Sequence, residues 1–198
     1  MFFANKIVCC VRNPLDILAS ELNFVLTWTH NKKIKQEFHT ELKELWEKLV
    51  RDEFPVWVSY HRWWINQAKA NKVPLYFVRY EDALANPGKS LEEIFAFALE
   101  LDNLEGTVVS NRIANWLEPE NHDKIHVYKP HYAVTKESIG FYTDELLDYI
   151  KEQAGDLLYY FGYVSFKDNP TSFIEYERHT EDHLKAFYGF RKQNEEAT

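Results

Sequence analysis

The run KIVCCVRNPLDILAS at residues 6–20 constrains the fold more than any other stretch of the chain. Its first part is continuously apolar and rich in β-branched residues up to Arg12, the pattern of a strand buried on both faces in a parallel sheet. Asn13 then reads as an N-cap, Pro14 suits the first helical position, and Asp16 favours the positive end of a helix. Leu15, Leu18, Ala19, Leu22, Val25 and Leu26 recur on one helical face. A buried strand that passes at once into an amphipathic helix predicts an α/β fold, with helices flanking a parallel sheet. Ser20 lies two turns up that helix from Asn13. An arginine at the strand end and a hydroxyl on the helix can thus converge on one phosphate.

The rest of the chain reads mostly as helix. One is expected from about Lys35 to Arg51, with Phe38, Leu42, Leu45 and Leu49 as its stripe. Pro55 is expected to open another, carrying Trp57, Tyr60, His61, Trp64 and Ala68 at helical spacing. Residues 74–79, PLYFVR, form the second clear strand. Asn86-Pro87-Gly88 reads as a turn, and Ser90 with Glu93 as a capping box for the helix that follows. A shorter helix is expected over 107–117, a polar loop over 118–138, and a helix after Thr143 that Gly162 ends. A last helix rich in charge and aromatics is expected over about 172–192. With two strands in view, further strands are hidden in the loops or belong to sequence outside the chain.

The 198 residues suffice for a domain with a substantial core, and 45 % apolar and 16 % aromatic residues mark it as globular. A net charge of −8 argues against nucleic acid and anionic membranes as partners, so an anionic ligand needs a local cationic pocket. Cys9 and Cys10 point to opposite faces of a strand and read as two separate core positions. The start of the chain does not read as a signal peptide, and no apolar run approaches the roughly 20 residues of a membrane span. A cytoplasmic, reducing setting is expected. The histidines are not grouped at metal-ligand spacing, and no metal is assigned.

The order of these segments resembles that of the PAPS-dependent sulfotransferases, where PAPS is 3′-phosphoadenosine 5′-phosphosulfate. Arg12 and Ser20 match the arginine and serine that hold the nucleotide's 3′-phosphate in that family. Tyr60-His61-Arg62-Trp63-Trp64 loosely resembles its His-x-x-x-Trp-Trp helix. PLYFVRYEDALANP at 74–87 is similar to its strand with Tyr-Glu-Asp and Asn-Pro, which implies that Tyr80 lies near the adenine. The resemblance covers roughly residues 6–163 and implies a P-loop-like sulfotransferase architecture with PAPS or its product PAP as ligand. Phe24 and Trp28 fall where the family builds part of its acceptor pocket, beside the default of core packing. Lys136, Ser138 and Gly140 are the nearest match to the family's C-terminal phosphate element, with a lysine in place of its arginine.

The family's 5′-phosphosulfate loop lies well upstream of the Arg-Asn-Pro strand, and only eleven residues precede Arg12 here. The sequence therefore predicts an N-terminally truncated domain over 1–165, without that loop or the expected catalytic Lys and His, and a helical extension over 166–198. No catalytic residue is assigned. Two functions follow as expectations. In one, a missing N-terminal part completes an enzyme that transfers a sulfuryl group from PAPS to a hydroxyl or amine. In the other, the chain is a catalytically inactive structural or interaction protein on the same scaffold. The exposed sheet edge and the C-terminal helix are the places expected to meet a protein partner. Two residues have plainer readings: His61 as a packed helix histidine, and Glu81-Asp82 as a capping or loop-fixing pair.

Overall fold

Apolar periodicity and helix-start chemistry account for most of the elements in the computed structural model, which describes residues 4–29, 41–118 and 138–163. In chain order these are β1 (Ile7–Val11), α1 (Pro14–Thr27), α2 (Lys43–Asn71), β2 (Leu75–Arg79), α3 (Tyr80–Ala85), α4 (Pro87–Leu99) and α5 (Val108–Leu117). A 3₁₀ turn at Ile139–Phe141 and α6 (Asp144–Tyr160) follow. The described residues fall into two compact units, one of 4–12 with 71–118 and one of 13–29 with 41–70 and 138–163. The expected helix start near Lys35, Phe38, Lys136 and everything from 164 onward, including the expected extension over 166–198, lie outside the described residues.

In the first unit β1 and β2 pair in parallel, Ile7 opposite Leu75 and Val11 opposite Arg79. These are the two segments the sequence marks as strands, and the sheet has two strands among the described residues. Ile7, Cys9 and Val11 are buried, whereas Val8 and Cys10 face outward, Val8 with 44 % of its surface exposed. The expectation of burial on both faces, and of Cys10 as a core position, is corrected here. Single apolar side chains are tolerated at the surface. An unbroken apolar run therefore identifies a strand without fixing how many of its faces are covered.

The start of α4 also differs from expectation. The Asn86 side chain accepts from the Lys89 N–H at 3.1 Å and Pro87 occupies the first turn, so the helix begins at the expected turn. Ser90 is buried a turn further on, and Glu93 accepts from the Tyr76 hydroxyl at 2.9 Å instead of completing a capping box. Asn-Pro outcompetes Ser90 because the proline lacks the N–H that an earlier cap would have to satisfy. At the other end Glu100 is left-handed at φ 60. Lys6 donates there to the Phe97 carbonyl and pairs with Glu100 at 3.0 Å, a cation at the negative end of the helix. α5 is capped by Thr107, which accepts from the Ser110 N–H at 3.1 Å.

In the second unit Asn13 caps α1 as expected, accepting from the Leu15 N–H at 3.0 Å. Leu15, Leu18, Ala19 and Leu22 are buried, but Val25 and Leu26 are exposed, so the buried stripe stops a turn earlier than the sequence suggests. Pro55 does not open a helix: it lies inside α2. The expected division into two helices is corrected because one apolar stripe, Trp46, Val50, Phe54, Trp57, Val58, His61 and Ala68, runs in phase through the proline. Leu45 lies off that stripe and is exposed, as is Tyr60. The Arg51 carbonyl, which loses its intrahelical donor to Pro55, receives the Tyr149 hydroxyl of α6 at 3.5 Å. α6 starts on Thr143, bends at Ala154 (φ −145), and ends as expected at Gly162 (φ 68). There the Gly162 and Tyr163 N–H groups donate to Tyr159 and Leu158 carbonyls at 3.0 and 2.9 Å, a Schellman closure.

Candidate functional site

Parallel pairing delivers the ends of both strands of the first unit to the same edge. Val11 faces Arg79, so the next residues along, Arg12 and Tyr80, are neighbours. The Arg12 guanidinium carbon lies 4.7 Å from the centre of the Tyr80 ring. Both side chains are half-buried. Alternation puts them on the side that carries Val8 and Cys10, while Val11 and Arg79 are buried. The Cys10 side chain is open to that side, yet its thiol is partly desolvated. That burial pushes the thiol above its ordinary pKa, the Glu81 carboxylate adds to the rise, and Arg12 opposes it.

Arg79 escaped the sequence reading as a site residue. It is almost fully buried, and its Nε lies 3.7 Å from the Asp82 carboxylate, so Asp82 serves as a local partner to a buried cation. The available signal was the repeated Val-Arg ending of both strand segments, KIVCCVR and PLYFVR.

The other predicted residues fall in the second unit. Ser20 is half-buried on α1, one turn before Phe24. Phe24 and Trp28 are both exposed, Trp28 at 83 %, with ring centres 6.2 Å apart. Trp28 caps α1 in the left-handed region at φ 53, an unusual conformation for a bulky residue. Core packing of this pair is thereby corrected: the buried face of α1 ends at Leu22. Ser138 and Gly140 lie at the 3₁₀ turn, Ser138 half-buried and Gly140 exposed. Close by, the buried Tyr142 donates to the Leu15 carbonyl at 2.9 Å. Burial, with the Asp16 carboxylate adding to it, raises the Tyr142 pKa well above the usual phenol value and keeps it a donor. His61 is the packed histidine the sequence suggests. It is buried, its Nδ1–H donates to the Trp57 carbonyl at 2.7 Å, and burial lowers its pKa.

The structure thus joins Arg12 to Tyr80 and Phe24 to Trp28. Among the described residues no group of three or more His, Cys, Asp or Glu is arranged to hold a metal ion. None of the described helices is long and apolar enough to cross a membrane.

A helix-rich α/β chain with a small parallel sheet, whose strand ends carry an arginine and a tyrosine, fits a sulfotransferase-like fold. The family model described as the sulfotransferase domain matches residues 2–116, more than half of the chain, and the chain belongs to the sulfotransferase family. The matched span holds Arg12, Ser20, Phe24, Trp28 and Tyr80; Ser138 and Gly140 lie beyond it. Neither the curated proteins nor the solved structures contain a match to the chain.

Proposed function

We propose that this chain supplies the half-site that binds the adenosine 3′-phosphate part of PAPS or PAP, within a sulfotransferase-family domain whose reaction is sulfuryl transfer from PAPS to a hydroxyl or amine acceptor. One observation carries the reading: the Arg12 guanidinium set against Tyr80 at the carboxyl ends of two parallel strands, within the family's matched span. Ligands of open α/β sheets bind outside those strand ends. A planar, permanently charged fork suits a phosphate dianion there, and an overall charge of −8 makes such a local cation necessary.

In this reading Arg12 and Ser20 hold the 3′-phosphate and Tyr80 belongs to the nucleoside side. Ser138 and Gly140, with Lys136, add a C-terminal contact. The exposed pair Phe24 and Trp28 offers aromatic surface to the acceptor. PAPS supplies the activated sulfuryl group, and the residues named here bind and orient it. The reading assigns no residue to the phosphosulfate side or to acceptor deprotonation. It takes the P-loop-like sulfotransferase domain to run over 1–165, with 166–198 as a C-terminal extension and a cytoplasmic setting.

Calorimetric titration of the full chain with 3′,5′-ADP tests the reading. Arg12→Ala removes a charge-assisted contact and is expected to weaken binding by about ten- to a hundredfold. An unchanged Kd in a folded Arg12→Ala variant removes Arg12 from the site.

A further inference from the structure

A phosphate-binding arginine needs its guanidinium held in place, because its long stem carries large rotamer entropy. In the first unit the Tyr80 ring lies under the Arg12 guanidinium, 4.7 Å from its carbon. The backbone that carries that ring is itself fixed twice. Arg79, the residue before it, pairs with Val11 at the last register position of the sheet, and Tyr80 is the first residue of α3. A ring takes the face of a guanidinium, whereas the N–H donors of the fork lie in its plane. An anion can therefore meet the fork edge-on while the ring keeps its contact.

We infer that Tyr80 is a positioning residue for Arg12: its ring holds the guanidinium and so sets selectivity for the 3′-phosphate. This inference rests on the nucleotide-binding reading above and changes one role within it, since the family resemblance places Tyr80 near the adenine. The two roles predict different losses. A base-stacking ring contributes to every adenine nucleotide. A ring that acts through Arg12 contributes only where there is a 3′-phosphate to hold.

The test compares Kd for 3′,5′-ADP and for 5′-AMP, which lacks the 3′-phosphate, on the full chain by calorimetry. In the wild type 3′,5′-ADP binds more tightly, and Arg12→Ala collapses the ratio. Tyr80→Leu is expected to lower the ratio by about three- to tenfold, the worth of a partly desolvated cation–π contact. Tyr80→Phe keeps the ring and should keep the ratio. In the Arg12→Ala background Tyr80→Leu should change nothing further. Should the Leu variant fail to fold, Tyr80→Gln gives the same readout. Equal weakening of both nucleotides by Tyr80→Leu, with the ratio intact, overturns the positioning role and leaves the site standing. A wild-type ratio near one overturns the site itself.

Discussion

His61 shows what one buried titratable side chain does to this molecule. It is enclosed by Trp57 at 4.4 Å and Phe161 at 5.2 Å between ring centres, and its Nδ1–H is committed to the Trp57 carbonyl. Burial lowers its folded pKa below the ordinary value of 6.5. The unfolded chain then binds the proton more readily, so stability is full above about pH 6.5 and falls as pH drops toward the folded pKa. His61→Gln keeps a donor without titrating, and its Tm should fall less than that of the wild type between pH 7 and 5. Parallel Tm profiles for the two proteins would rule His61 out as the source. At this scale the neighbourhood of Arg12 and Tyr80 could be read from the sequence because Arg12 closes one expected strand segment and Tyr80 directly follows the other, each beside a recognisable motif. Arg79 was not, because burial of a charged residue has no signature in a single sequence; it depends on a partner such as Asp82 across one turn of backbone.

Among the elements, α2 departs furthest from expectation. A proline inside a helix costs about 3 kcal/mol or more, through a lost hydrogen bond and a clash with the preceding turn. Here Tyr149 donates to the Arg51 carbonyl that Pro55 leaves without its helical donor, and the Arg51 guanidinium lies 4.9 Å from the same ring. Tyr149→Phe keeps the ring and deletes only the hydroxyl, at an expected cost of up to about 1 kcal/mol. Pro55→Ala should raise stability and make Tyr149→Phe nearly neutral, a coupling that a double-mutant cycle by urea denaturation reads directly. Additive effects would mean that the hydroxyl does not compensate the proline. Helix starts were legible wherever a side-chain cap met a proline or a clear apolar stripe, as at Asn13-Pro14 and Thr143. At Pro55 the same signal misled, because the stripe in phase with Phe54 starts from Trp46 and Val50 and not from the leucines beside them.

At the scale of the molecule the two units differ in how much they bury. Among the described residues the first unit hides Ile7, Cys9, Val11, Phe77, Val78, Leu104 and Ile113, while the second encloses large side chains such as Trp46, Phe54 and Phe161 between long helices. Local opening free energy follows buried apolar contact. Amides of β1 and β2 should therefore exchange with deuterium through a lower-energy opening than those of α2 and α6, and 3′,5′-ADP should slow exchange at the strand ends around Arg12 and Tyr80. Strand amides as protected as the helix cores would contradict the first expectation, and ligand-independent exchange at the strand ends the second. The α/β class and the family were legible in the order of short segments. The uncovered side of β1 was not, because it depends on which elements pack there rather than on the strand's own residues. That alternation also imposes a rule of parity. Lys6 is tied to the end of α4, and Arg12, six positions on, stands on the same side of the strand as Val8 and Cys10. Insert or delete one residue between them and the arginine turns to the side where Val11 and Arg79 are buried. Such indels are tolerable at this strand only in pairs, and the reading frame of the segment is held by even and odd as firmly as by the identity of any side chain.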